Sequence, residues 1–318
     1  MCSRASTIRA TRRPCTRPSR PTCWGRCREG DGAVTRVRER DIDLPDGRTL
    51  HVYDSGAQKR YPVLWQHGTP NTGNPPEPLM RAAKKLGLRW VSFDRPAYGG
   101  STRHAGRTVG SVAADVAALA DALELESFAV MGHSGGGPHG LACAATLTDR
   151  VSAVVSVAGL APFDADGLDW FDGMGPTSTA ALRSAQEGAD RKRRHEEESA
   201  DAPIDFTARD WATLAGPWGW LAEVAAAGVA KGLDGMIDDD LAYVTRWGVD
   251  LAAITAPVLL LHGSDDRVAP ASHSRWLAGA LPGCEHWTLP GEAHLSVLAA
   301  EEHGAEDALR WLAERTGR

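Results

Sequence analysis

Ser134 stands in Gly132-His133-Ser134-Gly135-Gly136, a G-x-S-x-G frame directly after the apolar run Phe128-Ala129-Val130-Met131. A serine hydroxyl is a weak nucleophile near neutral pH and needs a base that is itself oriented by a third group. Two downstream segments can supply these. The apolar run Val258–Leu261 leads into His262-Gly263-Ser264-Asp265-Asp266-Arg267-Val268-Ala269-Pro270, and Pro290-Gly291-Glu292-Ala293-His294-Leu295 places a histidine in a loop before the last helix. Asp266 is the expected orienting carboxylate, fourth in a Gly-x-x-Asp turn that ends in proline; Asp265 reads as a turn or capping residue. His294 has the best context of the eleven histidines, since His286 falls in a strand and His303 on a helix face. Attack on a carbonyl also develops an oxyanion, which needs N–H donors. The N–H of Gly135 is one. Gln66-His67-Gly68-Thr69-Pro70 offers Thr69 as the second, with Gly68 allowing the close turn; alternatively this stretch is only a sharp loop built from Gly and Pro.

These residues need a frame that brings them to one rim. Val37 to Leu44 and Thr49 to Tyr53 read as strands joined at Pro45-Asp46-Gly47, and Tyr61 to Gln66 as a more buried third strand. A helix around 78–86 precedes the strand Trp90 to Phe93, and a long helix runs from Val109 to Leu123. The strand before Ser134, its glycine-rich helix and the strand Val151 to Val157 follow; Val258 to Leu261 is a further strand and Ser296–Glu314 the last helix. Apolar runs separated by amphipathic helices specify an α/β fold with a mostly parallel sheet covered on both faces. A carboxylate just past the end of such a strand shares a rim with a serine just past the end of another.

Two segments depart from this rhythm. Residues 162–248 lack clear strands, carry the charge run Asp190 to Glu198, and hold five of the eleven tryptophans. They read as a helical cap inserted between core segments 34–161 and 249–318. Trp218, Trp220 and Phe163, with Phe171 and Met174, either line an apolar substrate pocket or form the cap's own core. Asp238-Asp239-Asp240 reads as a solvated helix start. Residues 1–33 hold eight arginines, two acidic residues and four of the six cysteines, a net of +6 that leaves the rest of the chain at about −12 where the whole is −6. With almost no large aliphatic side chains, this segment is expected to be a disordered basic tail. Its Arg12-Arg13 pair lacks the apolar stretch of an export signal, and Cys23-x3-Cys27 lacks a second ligand pair for zinc.

The chain resembles the α/β-hydrolase superfamily with an inserted cap over roughly residues 35–316. His67-Gly68-Thr69-Pro70, Asp94-Arg95-Pro96-Ala97-Tyr98-Gly99-Gly100-Ser101, Gly132 to Gly136, Gly263 to Asp266 and Gly291 to His294 carry the resemblance, and Ser134, Asp266 and His294 follow in the family's order. It implies an eight-stranded sheet, a lid over Ser134 and hydrolysis. Two departures stand out: Ala97 occupies a place usually held by glycine, and the HG-x-P loop is similar to that of epoxide hydrolases and haloalkane dehalogenases, whose nucleophile is an aspartate. Ser134 argues against both of those chemistries.

The expected protein is therefore a cofactor-independent, carboxylesterase-like serine hydrolase of the cytoplasm, acting on an ester or related acyl bond of a small apolar molecule. No metal is expected, since His133 and His139 belong to the serine turn and its helix. The 42% apolar and 24% charged composition gives no reason to expect nucleic acid or membrane as partner, and no run approaches the ~18 apolar residues of a membrane span. Alternatives on the same residues are an aminopeptidase, with the Asp238–Asp240 run receiving an amine, a carbon–carbon bond hydrolase, or a ligand receptor that keeps the fold.

Overall fold

A computed structural model describes residues 37–281 and 283–316; the tail expected over residues 1–33 lies outside the described residues. Eight strands form one sheet: β1 (Arg38–Asp43), β2 (Thr49–Asp54), β3 (Tyr61–Gln66), β4 (Leu88–Phe93), β5 (Phe128–His133), β6 (Val151–Val157), β7 (Val258–Gly263) and β8 (Glu285–Leu289). Their order is β1-β2-β4-β3-β5-β6-β7-β8, antiparallel where β2 meets β1 and β4 and parallel elsewhere. The eight-stranded, mostly parallel sheet inferred from the sequence is present.

β3, β4, β5 and β7 are buried at every position, which is why they read as continuous apolar runs without alternation. Alternate side chains serve two separate cores. Leu64, Val91 and Val130 pack on one face with Val112, Val116 and Leu119 of α2 (Val112–Ala122) and with α3 (Gly136–Thr146). Val63, Trp65, Trp90 and Met131 pack on the other with α1 (Met80–Lys85), α10 (Ser296–Ala299) and α11 (Ala305–Glu314). In α11 the buried set is Ala305, Ala308, Leu309, Trp311 and Leu312, a helical stripe opposite Glu306, Asp307 and Arg310. β1 is the exposed edge, and its charged Arg38, Glu39, Arg40 and Asp41 guard it against pairing with another chain.

One long final helix, expected over Ser296–Glu314, is instead α10 and α11 with a turn between them. A Cβ on Gly304 would come within 2.2 Å of the Ala300 carbonyl oxygen, and His303 takes a left-handed φ of 57°. His303 therefore belongs to this turn rather than to a helix face.

Between β6 and β7 the insertion forms α4 (Pro176–Gln186), α5 (Ala189–Glu198), α6 (Ala208–Leu214), α7 (Trp220–Val229) and α8 (Asp234–Tyr243), with no strand among its residues. α9 (Ala271–Ala280) follows β7. The described residues form a single compact unit, cap included. No helix among the described residues is long and apolar enough to cross a membrane.

Candidate active site

β5 ends at His133 and α3 begins at Gly136, so Ser134 occupies the turn between them with a left-handed φ of 54°. That conformation costs a non-glycine residue about 1–2 kcal/mol. It is held by the Ser134 N–H donating to the Val157 carbonyl at 2.8 Å and by its own carbonyl accepting from Gly137 N–H at 2.9 Å. The flanking glycines are obligatory: a Cβ on Gly132 would sit 2.2 Å from the Gly136 carbonyl oxygen, and one on Gly136 1.9 Å from that of Gln66.

The loops after β7 and β8 bring the other two residues to the same rim. His294 Nε2 lies 2.9 Å from Ser134 Oγ, and His294 Nδ1 lies 2.8 Å from Asp266 Oδ2. Asp266 Oδ1 accepts from the N–H groups of Val268 and Ala269 at 2.8 and 2.9 Å, which fixes the carboxylate plane. Burial opposes its charge, but His294 and His262 beside it hold its carboxyl well below the usual carboxylate range. Burial likewise pushes the His294 imidazole down, yet Asp266 and then Asp210 outweigh that and keep it above its ordinary value. His133, pushed down to about 3 by burial and by His294, is neutral and donates its Nε2–H to the His294 carbonyl at 3.0 Å. Asp265 instead accepts from the Ser264 hydroxyl at 2.6 Å in an exposed turn.

Thr69 and Gly135 face each other beside the serine: a Cβ on Gly135 would meet Thr69 Oγ1 at 2.7 Å and Tyr243 Oη at 2.2 Å. Among the described residues no protein acceptor takes the N–H of Thr69 or of Gly135, so both are free for a ligand. Tyr243, from α8, donates its hydroxyl to the Gly135 carbonyl at 3.1 Å and lies 2.9 Å from Thr69 Oγ1.

Above these groups lies a cavity of about 480 Å³. Its floor is Thr69, Ser134 and His294, and its cap wall is Ile204, Phe206, Trp211, Leu214 and Leu221. Among the described residues, no Asp, Glu, Lys or Arg lines it. Phe206 stacks over the His294 ring, 6.4 Å between centroids at 20°. Ile204 and Trp211, each 51% exposed, stand at its mouth. A second cleft of about 500 Å³, beside β8 and the turn at His303, contains none of Ser134, His294 or Thr69.

Trp218, Trp220 and Phe163, expected at the substrate, do not line the cavity. Trp218 and Trp220 are buried in the core behind it, Trp220 with its ring 6.5 Å from that of Trp65, and Phe163 packs edge-on against Trp170 and Phe171. Trp218 and Trp220 seat the cap on the sheet, whereas Phe206 and Trp211, with Leu214 and Leu221, face the cavity.

The acidic run is also not solvated. Asp239 is 0% exposed. It pairs with Arg95 at 2.6 Å and Arg107 at 2.7 Å, and it accepts from the Tyr98 hydroxyl at 2.8 Å and Thr69 Oγ1 at 2.6 Å. Asp238 pairs with Arg103 at 2.8 Å and Asp240 with the buried Lys192 at 2.6 Å. The turn carrying Arg95 closes around Asp94, whose carboxylate accepts from the N–H groups of Gly73 and Gly100 at 2.7 and 2.8 Å. Ala97 adopts φ 73° there, the conformation for which glycine is the ordinary choice.

Sequence reasoning missed Phe206, Asp210, Trp211, Asp239 and Tyr243 at the site. Only Asp210 left a local signal, the capping pair Thr207-x-x-Asp210 at the start of α6.

A family model described as alpha/beta hydrolase fold matches residues 61–300. A non-heme chloroperoxidase from Streptomyces lividans is 29% identical over 236 residues, spanning 72% of this chain and 83% of that protein. A bifunctional esterase/perhydrolase from Acinetobacter calcoaceticus is 27% identical over 233 residues, again 72% of this chain and 83% of that protein. The solved structure of a bromoperoxidase from Bacillus anthracis has the same fold, with a TM-score of 0.69 at 20% identity over 87% of this chain and 100% of that one.

Proposed function

The chain belongs to the α/β hydrolase fold family, and from that premise we propose that it is a serine hydrolase cleaving an ester or related acyl bond of a small, neutral, apolar molecule. One observation carries the reading: the unbroken line Ser134–His294–Asp266, at 2.9 and 2.8 Å, opening onto an uncharged cavity. His294 Nε2 takes the Ser134 proton as Oγ attacks the acyl carbon, and Asp266 stabilises the imidazolium. The free N–H groups of Thr69 and Gly135 receive the oxyanion. Collapse passes the proton from His294 to the leaving alkoxide and leaves an acyl-serine; water, deprotonated by His294, then attacks the acyl carbon, and the acyl–Oγ bond breaks to release the carboxylic acid as His294 returns the proton to Ser134.

The cavity wall favours this reading over an aminopeptidase, which needs a carboxylate for the substrate's ammonium group. Asp238, Asp239 and Asp240 are each committed to a cation of the protein and none lines the cavity.

The test is hydrolysis of short-chain nitrophenyl esters by the wild type, Ser134→Ala and His294→Ala, with labelling by a fluorophosphonate. Loss of roughly 10³-fold or more in kcat for either variant, and labelling that requires Ser134, are expected. Wild-type turnover in either variant would sink the assignment.

A further inference from the structure

Asp210 sits in the cap, on none of the segments that carry Ser134, Asp266 or His294, yet both of its carboxylate oxygens are engaged. Oδ2 serves its own helix: it accepts from the Thr207 N–H at 2.9 Å and the Thr207 hydroxyl at 3.0 Å, closing the capping box of α6. Oδ1 serves another part of the chain. It accepts from the N–H of Leu295 at 2.6 Å and of Ser296 at 2.9 Å, the two residues that follow His294.

These are the N–H groups of the N-cap residue and of the first residue of α10, which have no carbonyl partner within the helix and need an acceptor from outside it. The nearest hydroxyl, that of Ser296, is already taken up by the Ala293 N–H at 2.8 Å. The cap supplies the missing acceptor from 85 residues away. The residue type follows from the count: four donors converge on one side chain that is 1% exposed. Only an ionised carboxylate, acceptor-only on both oxygens, satisfies all four; asparagine could keep the box or the tether but not both.

We propose that Asp210 is a positioning residue for His294: the cap carboxylate fixes the backbone from which the imidazole reaches Ser134. The inference rests on His294 being the base, as proposed above. The segment is gripped from two sides, since the His294 carbonyl accepts from His133 in the core while the next two N–H groups donate to the cap. Phe206, four residues before Asp210, lies over the ring itself. The cap thus holds the base in place as well as enclosing the substrate.

The charge of Asp210 gives a readout that a purely structural role would not move. The charged and titratable groups acting on His294 are Asp266 from the loop after β7, with His262 beside it, His133 from β5 and Asp210 from α6; on residues flanking Asp210 and His294, Arg209 pairs with Glu292 at 2.7 Å. His133 is neutral and Arg209 is balanced by Glu292, leaving Asp266 and Asp210 as the two uncompensated negative charges.

The experiment compares Asp210→Ala, Asp210→Asn and His294→Ala in the full chain, measuring kcat and KM for a nitrophenyl ester from pH 5 to 9 and the melting temperature of each. Asp210→Ala is expected to lose about 10–100-fold in kcat with KM within about threefold, the signature of a misplaced base. In Asp210→Asn the acid-side midpoint of kcat/KM moves to lower pH, by roughly 0.3 or more, because a charge favouring the imidazolium is gone. A folded Asp210→Ala with wild-type kcat, or an Asp210→Asn midpoint that stays in place, overturns the proposal; should the alanine variant not fold, the asparagine midpoint alone decides. An active His294→Ala removes the premise along with the proposal, whereas an inactive His294→Ala beside unaltered Asp210 variants removes only the positioning role.

Discussion

Replacing Asp239 by asparagine should destabilise this protein more than almost any other single-atom change, and the structure says why. One carboxylate, 0% exposed, is the shared counter-charge of two buried guanidinium groups, Arg95 at 2.6 Å and Arg107 at 2.7 Å. It also accepts from Tyr98 and Thr69 at 2.8 and 2.6 Å. Burial opposes its ionisation, but Arg107 and Arg95 hold its carboxyl far below the usual carboxylate range. Breaking one buried pair by removing a partner costs about 3–5 kcal/mol, because the other charge is stranded away from water. Asp239→Asn strands two at once and is expected at the upper end of that range, about 4–5 kcal/mol. In a chain of this size each kcal/mol moves the melting temperature by about 2–4 °C, so a fall of roughly 8–20 °C should appear in a thermal melt followed by circular dichroism. The loop consequence is separable. Thr69 loses an acceptor for its hydroxyl, so kcat measured well below the melting point should also fall, more than KM changes. A double replacement, Asp239→Leu with Arg95→Met, should recover part of the lost stability by removing charge on both sides. A melting temperature for Asp239→Asn within about 2 °C of wild type would refute the reasoning, since buried, mutually dependent charges cannot be neutralised on one side for free.

The pH dependence follows from His294. Its imidazole is held above the ordinary 6.5, and it must be neutral to accept the serine proton. Activity is therefore low when it is protonated and rises with pH through a midpoint above 6.5; a kcat/KM profile with a midpoint clearly below 6.5 would contradict the Asp266 and Asp210 placement. For stability the sign is opposite: a raised histidine pKa contributes most at low pH and its contribution is lost as pH rises through the folded value. Ala97→Gly should stabilise the fold by about 0.5–1 kcal/mol, because the ~1–2 kcal/mol strain of its φ of 73° exceeds the entropy that glycine adds to the unfolded chain. Urea unfolding measures this, and a loss of stability beyond about 1 kcal/mol would show that the Ala97 methyl packs more than it strains.

The sheet and the Ser134, His294 and Asp266 constellation were legible because each is written in local chemistry. Short continuous apolar runs bounded by turn residues fit strands buried on both faces, as β3, β5 and β7 are. The glycines around Ser134 report a backbone so crowded that a single Cβ would lie 1.9 Å from a neighbouring oxygen. The cap was misread for the opposite reason. Which side of a cap helix faces the substrate is set by its packing partners, and a tryptophan is equally fit for either. Trp220 found Trp65 on the sheet, while Trp211, identical in type, stands half-exposed at the cavity mouth. Asp238-Asp239-Asp240 looks like a solvated stretch because its cations, Arg103, Arg95 and Lys192, lie on separate segments, two of them far upstream.

These two misreadings share a physical cause with a consequence for catalysis. A charged residue is worth burying only where several partners converge on it, and two of the convergences that involve the cap lie at the site. Asp239 on α8 takes the hydroxyl of Thr69, whose N–H is free toward the serine; Asp210 on α6 takes the two N–H groups after His294. Tyr243, one turn beyond Asp239, reaches the Gly135 carbonyl as well. The proposed oxyanion donors and the proposed base are therefore each anchored to a different cap helix. A cap that opened by swinging as a rigid body would have to break both buried carboxylate clusters, several kcal/mol each, and would disassemble the catalytic groups as it did so. With α6 and α8 staying in place, the expected route for a substrate is past the exposed Ile204 and Trp211 at the cavity mouth. Residues that widen or narrow that mouth should change which substrates are accepted without altering the chemical step.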